Sequence, residues 1–160
     1  MGIENITTIR AYLETDKPDL INLIRLNIPT YFAKSEENDF IEYLDSKIEL
    51  YYVLLINENI VGSGGVNFNN DKSEGKISWD IVHPEFQGKS LGSKLLKHRM
   101  DVLKSIPSIR KITVRTSQYT HLFYAKHGFK LLEVHQNFWA DGFDMYLMEF
   151  VFKKKHPNIK

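Results

Sequence analysis

The sequence contains no cysteine. That absence removes disulfides, thiolate metal sites and a cysteine nucleophile together, and it fits a reducing compartment, so a cytoplasmic location is expected. Charge of one sign is also lacking: 21 Lys and Arg stand against 20 Asp and Glu, for a formal net charge of +1. No global field therefore draws the chain to nucleic acid or to an anionic membrane surface, and neither partner is expected. Long hydrophobic runs are missing as well. The longest, Leu50 to Ile56, is about a third of the ~20 residues that a membrane-spanning helix needs, and it reads as a buried strand. The N-terminus, interrupted by Glu4 and Arg10, lacks the basic and apolar regions of a signal peptide, so the mature chain is expected to start there. The histidines at 83, 98, 121, 127, 135 and 156 have no close ligand spacing, and no metal site is expected.

What is present fits one compact domain. A chain of 160 residues with 42% hydrophobic content is long enough to bury a sizeable core. The domain is expected over residues 1–152, followed by a basic, solvated tail at 153–160. Thr7 to Leu13 reads as a strand, and Asp16 with Pro18 reads as the start of a helix carrying Leu20, Leu23, Ile24 and Asn27 on one face. Pro29 stops it, and a second helix follows, with Phe40, Ile41, Leu44 and Ile48 as its apolar face. Between the two lies an aromatic loop containing Tyr31 and Phe32. Tyr51 to Ile56 and Ile60 to Phe68 form a hairpin, and Lys76 to His83 another strand. After Pro84 the period changes from two to 3.6, with Leu91, Leu95, Arg99, Val102 and Ile106 as the stripe of a long helix. A strand at 111–116, a short helix closed by Gly128, and strands at 129–134 and 145–152 complete the order. This pattern predicts an α/β fold with a mixed sheet covered by helices.

The segment Phe86-Gln87-Gly88-Lys89-Ser90-Leu91-Gly92 joins a strand to the long helix. Small residues there let the backbone approach an anion, and first-turn amides with the helix dipole stabilise its charge; Lys89 can add a point charge. Gly88-Lys89-Ser90 imitates the end of a Walker A loop, but the required earlier glycine is His83. Gly62 to Asn67 fails as a dinucleotide fingerprint because Asn67 stands where the last glycine belongs. Those glycines are expected to allow a bend in the third strand.

Val82-His83-Pro84 followed by Gln87 to Gly92 and a long helix resembles motif A of the GNAT superfamily of N-acetyltransferases. The family pattern is Q/R-x-x-G-x-G/A; Gln87 and Gly92 match its ends, and Ser90 replaces the middle glycine. Phe123-Tyr124-Ala125-Lys126-His127-Gly128-Phe129 resembles motif B of the same family. The resemblance implies a mixed, mostly antiparallel central sheet flanked by helices, acetyl-CoA as cofactor, and transfer of its acetyl group to an amine. It implies that Gln87, Gly88, Lys89, Ser90, Leu91, Gly92 and Ser93 hold the pyrophosphate. It further implies that Ile81 and Val82 pair with the pantetheine arm, and Ser117 also falls among the cofactor-binding positions.

The same resemblance makes Tyr124 the general acid beside the CoA sulfur, because a phenol of pKa ~10 stays protonated at neutral pH. An alkyl ammonium has a pKa near 10.4, so a base is required; Asp80, Glu74 and His83, on or beside the fourth strand, are the candidates. Tyr31, Phe32, Phe138 and Trp139 are expected to wall the acceptor site, and Asp141 or Asp144 to attract a cationic amine. Relatives that acetylate protein N-termini often carry glutamate on the fifth strand, where this chain has Thr113. The expected acceptor is therefore a small-molecule primary amine, attacked directly in a ternary complex. Acetylation of a protein N-terminus or lysine, and a catalytically degenerate CoA-binding sensor, remain open alternatives. An exposed final strand makes a homodimer the expected assembly, if any.

Overall fold

The computed structural model of the protein describes residues 6–153. The expected basic tail lies outside the described residues apart from Lys153, which is exposed. Among the described residues seven strands and four α-helices follow in the order β1 (Thr7–Ala11), α1 (Lys17–Leu26), α2 (Glu36–Ser46), β2 (Leu50–Ile56), β3 (Asn59–Phe68), β4 (Glu74–Val82), α3 (Leu91–Lys104), β5 (Lys111–Thr116), α4 (His121–Lys126), β6 (Phe129–Ala140) and β7 (Phe143–Phe150). The strands make one sheet of order β1-β2-β3-β4-β5-β7-β6, antiparallel throughout except for the parallel pair β4 and β5. No helix among the described residues is long and apolar enough to cross a membrane.

Two core layers explain why the central strands read as continuous apolar runs instead of alternating ones. On one face, Leu20, Leu23 and Ile24 of α1 and Phe40 and Leu44 of α2 pack on Tyr51, Val53, Leu55 and Ile81. On the other, Leu96, Met100 and Leu103 of α3 pack on Val66, Ile77, Ile112, Val114 and Met148, together with Tyr124 and Phe129. Leu91 and Leu95 extend this second layer over Leu54 and Val61. The α3 stripe thus begins at Leu91, Leu95 and Arg99 as the spacing predicts, but Leu96, Met100 and Leu103 complete it; Val102 and Ile106 are only half-buried.

Three further expectations are corrected. Asp16 makes no cap on α1; its carboxylate instead accepts from both ends of the Arg10 guanidinium (2.8 and 3.0 Å) and from the Leu13 amide. β6 runs to Ala140, well beyond Val134, because its outer half is exposed on both faces and so carries no alternation to read. The last strand is not the sheet edge: β7 lies between β5 and β6, and β6 is the exposed edge.

One irregularity positions everything that follows. Between Ser63 and Gly65 of β3 the register with β4 shifts by one residue, since Ser63 opposes Ile81 while Gly65 opposes Ser78. The extra residue on β4 is a β-bulge, with Trp79 in the left-handed region at φ 50°. It reverses the alternation. Ile77 belongs to the α3-side core and Ile81 to the α1/α2-side core, although both are odd-numbered positions on one strand. β4 pairs with β5 only over Glu74–Ile77 against Lys111–Val114, and beyond that point the two strands part.

Candidate active site

The parting of β4 and β5 opens a cavity of about 920 Å³, within the size range of small-molecule and cofactor sites. Its lining comes from both faces of the sheet, so it passes through the sheet rather than lying on it. Gln87, Gly88, Ser90, Gly92, Ser93, Phe123 and Tyr124 line it from the α3 side, and Tyr31, Phe32, Glu36, Tyr43 and Trp139 from the other.

At its middle sits a buried ionic network. The bulge turns Asp80 toward α3, where its carboxylate pairs with the Arg99 guanidinium and accepts the Tyr124 hydroxyl. Arg99 is fully buried. It also donates Nη1 to the Gly65 carbonyl (3.1 Å) and Nε to the Leu95 carbonyl (3.2 Å). Its Nη2 has no acceptor within the protein. Burial would lower the Arg99 pKa, but the adjacent Asp80 charge and hydrogen bond more than offset it, so the guanidinium is held above its ordinary range. For Tyr124, burial and then the Asp80 charge both act in one direction and push the phenol well above 10. Gly64 makes the network possible: a Cβ there would stand 2.5 Å from Asp80 Oδ1 and 2.7 Å from Arg99 Nη1.

The loop before α3 is open to the same cavity. Gly88 has φ 79°, with open space where a Cβ would be, and Ser90 takes φ 65° as the residue preceding the helix. The first-turn amides of Leu91, Gly92 and Ser93 have no intrahelical acceptor by the geometry of any α-helix. Ser93 Oγ bonds to His127 Nε2 (2.9 Å), and burial lowers the pKa of that imidazole. Gln87 turns inward, donating to Asn27 Oδ1 and to the Val82 carbonyl (both 3.4 Å).

The structure brings some of the expected site residues together and separates others. Asp80 and Tyr124 meet, whereas Glu74 lines the same cavity from the start of β4, six residues and on the order of 20 Å away along an extended strand; there its Oε2 accepts from Thr113 Oγ1 (2.6 Å). His83 stands outside the cavity lining, with its Nδ1 accepting the Glu85 amide (3.1 Å). The side chains of Ile81 and Leu91 are buried in the core, which leaves only their backbones for a ligand. Val82, Ser117, Tyr31, Phe32 and Trp139 line the cavity. Lys89 lies over the Phe86 ring (5.2 Å), Phe138 is exposed, and Asp141 sits in the exposed β6–β7 turn; none of the three lines the cavity. Asp144 braces the same hairpin by accepting the Asn137 amide (2.9 Å).

Sequence reasoning missed Arg99, Glu36 and Arg115. A signal for Arg99 existed, since an arginine within an apolar helical stripe requires a buried carboxylate partner. Glu36 is buried beside the cavity, accepts the Ala33 amide (2.8 Å), and has its pKa raised by desolvation. No group of three or more His, Cys, Asp or Glu side chains that could hold a metal occurs among the described residues.

A cavity that starts at free amides, runs past an orphaned Arg99 Nη2 and passes through the sheet fits an elongated, phosphate-bearing cofactor such as acetyl-CoA. Comparison with known proteins agrees. An amino-acid acetyltransferase from Pasteurella multocida is 27% identical over 84% of this chain, although the match spans only 29% of that longer protein. An N-alpha-acetyltransferase from Saccharolobus solfataricus is 28% identical over 88% of this chain and 90% of its own. The crystal structure of the ribosomal-protein-S18-alanine N-acetyltransferase from Escherichia coli superposes with a TM-score of 0.76 at 18% identity, covering 97% of this chain and 99% of that one, which is a likeness of fold. The model of the Acetyltransferase (GNAT) family matches residues 18–129, spanning α1, the loop before α3 and the entire Asp80–Arg99–Tyr124 network. The chain therefore belongs to the GNAT family, and it is an acetyltransferase that uses acetyl-CoA.

Proposed function

We propose that this enzyme transfers the acetyl group directly to the primary amine of a small molecule, within a ternary complex. The carrying observation is the Tyr124–Asp80–Arg99 network, set where β4 and β5 part and reached from both faces of the sheet. The absence of cysteine supports a route without a thioester on the enzyme. Bound acetyl-CoA supplies an already activated thioester. Gln87 to Ser93 are the residues proposed to hold its pyrophosphate, with the backbones of Ile81 and Val82 beside its arm.

Tyr124 keeps one phenolic proton, and in the resting protein that proton points at Asp80. With its pKa held well above 10, Tyr124 shares its proton with a departing thiolate of pKa about 8.5 rather than surrendering it. Asp80, engaged by both Arg99 and Tyr124, orients the hydroxyl; the acceptor's ammonium loses one proton to water in the open cavity before attack, and its second proton, lost as the intermediate collapses, restores the one that Tyr124 shares with the thiolate. Glu74, remote along β4, is assigned no proton transfer. Tyr31, Phe32 and Trp139 are proposed to wall the acceptor. Tyr124→Phe should lower kcat by about 10²-fold, the lower end of general acid–base contributions, while the rise in melting point caused by CoA persists. Unchanged turnover would remove Tyr124 from the chemistry.

A second reading has its own support. The S. solfataricus relative is named an N-alpha-acetyltransferase, so the N-terminal amine of a protein is the competing acceptor. Turnover of tripeptides in preference to free amines would favour it. We also propose a cytoplasmic setting, and that any homodimer uses β6, the exposed edge, rather than the last strand.

A further inference from the structure

Resting on the small-molecule reading above, we infer that the acceptor carries a carboxylate as well as its amine, and that Lys76 and Arg115 recognise that carboxylate. Both line the cavity on the face away from α3. Lys76 stands opposite Thr113 in the parallel register, and Arg115 follows two residues later on the same face of β5, just where the strands separate. The two cations are therefore diagonal neighbours that line the cavity while staying exposed to solvent. Among the described residues, neither takes part in an ion pair.

The surroundings hold Arg115 ready without neutralising it. Its guanidinium lies 5.3 Å from the Phe138 ring and 5.5 Å from the Trp139 ring. Trp139 is itself anchored by its indole N–H on the Thr116 carbonyl (3.1 Å). Stacking on rings steadies a guanidinium and leaves its planar edge free for a carboxylate. Two carboxylates line the same cavity, but Glu74 accepts from Thr113 and Glu36 from the Ala33 amide, and neither forms an ion pair with Lys76 or Arg115. An acceptor that is cationic along its whole length would set its charge against Lys76 and Arg115. One bearing a carboxylate satisfies both, and the amine end is left for Tyr124. This discrimination works by repulsion as well as attraction.

The test uses the intact protein saturated with CoA, which cannot react, so acceptor binding is read apart from turnover. Isothermal titration compares the common L-amino acids with their α-carboxamides and with 1,4-diaminobutane. At least one amino acid should bind tenfold or more tightly than its carboxamide. Arg115→Gln and Lys76→Gln should each weaken that amino acid at least tenfold and the carboxamide less than threefold, with CoA binding retained as the check on folding. The inference is overturned if no amino acid binds, if carboxamides or the diamine bind as well as the acids, or if both variants keep the wild-type discrimination. Turnover on the same panel judges the parent reading separately: an amino acid that binds through Arg115 yet is never acetylated sinks small-molecule transfer and leaves the carboxylate site standing.

Discussion

Asp80→Asn changes one oxygen to an amide and leaves the volume nearly constant, so its effect isolates charge. In the variant the fully buried Arg99 keeps its positive charge without a counter-ion, and the new NH₂ either faces a guanidinium or displaces the Tyr124 hydroxyl. Breaking a buried pair from one side costs about 3–5 kcal/mol, because the remaining charge stays desolvated. At roughly 2–4 °C per kcal/mol for a domain of this size, the melting point should fall by about 6–20 °C. The companion variant Arg99→Met suffers the reciprocal loss. The double variant Asp80→Asn/Arg99→Met should recover most of the stability, since a buried pair replaced by uncharged groups is close to neutral. Differential scanning calorimetry of the four proteins at pH 7 gives the coupling energy directly. Acetyl transfer should stay low in all three variants, because Asp80→Asn removes the charge that orients Tyr124 and Arg99→Met removes the cation that holds Asp80 in place. A single Asp80→Asn variant melting within 2 °C of wild type, or additive losses with coupling below about 0.5 kcal/mol, would refute the buried network.

The other stability predictions concern local geometry. Ser90 occupies φ 65°, a conformation that costs an L-residue about 1–2 kcal/mol and glycine almost nothing. Ser90→Gly should therefore raise the melting point by roughly 2–8 °C, and an unchanged or lower value would show that no strain is stored there. Asp16, buried and bonded to Arg10 and the Leu13 amide, has its pKa lowered first by the Arg10 hydrogen bond. Asp16→Asn should cost about 1–2 kcal/mol at pH 7, with the exposure of Arg10 keeping the loss at that level. A depressed carboxyl contributes stability above its unfolded pKa of 3.8 and loses it as the pH falls through the folded value. The melting curves of wild type and variant should thus converge below about pH 4, and a gap independent of pH would contradict the ionic account.

Much of the fold was legible because its signals are local. The change from period two to period 3.6 after Pro84 placed α3, and Leu50 to Ile56 announced a strand covered on both faces. The loop before α3 was legible as a helix entry, and its reading as an anion site remains part of the proposal. Less legible were features that depend on a partner distant in sequence. Nothing near Asp80 marks it as the counter-ion of Arg99, nineteen positions on, nor Glu74 as the partner of Thr113. The outer half of β6 carries no buried face and so leaves no periodic trace. Arg115 is an exposed strand residue, and its rings, Phe138 and Trp139, come from a hairpin more than twenty positions away that no local pattern marks.

The single extra residue in β4 accounts for most of what composition could not reveal. Had β4 kept strict alternation, Asp80 would face α1 and α2 with Ser78, and Arg99 would be a buried cation without a partner. The bulge also twists β4 away from β5, which ends their pairing at Ile77 and Val114 and opens the sheet to a ligand. Trp79, held at φ 50°, carries the strain of that turn. Its ring is packed by Phe32, Phe40 and Tyr43, and its carbonyl accepts the Tyr51 hydroxyl (2.9 Å), so the strained residue is fixed from both ends. Tyr51 in turn bonds Ser63 on β3 beside the register shift (3.0 Å). The α1/α2 core thus does more than cover the sheet: it holds the bulge in place, and the bulge sets both the charge network and the opening proposed for the acetyl donor and the amine.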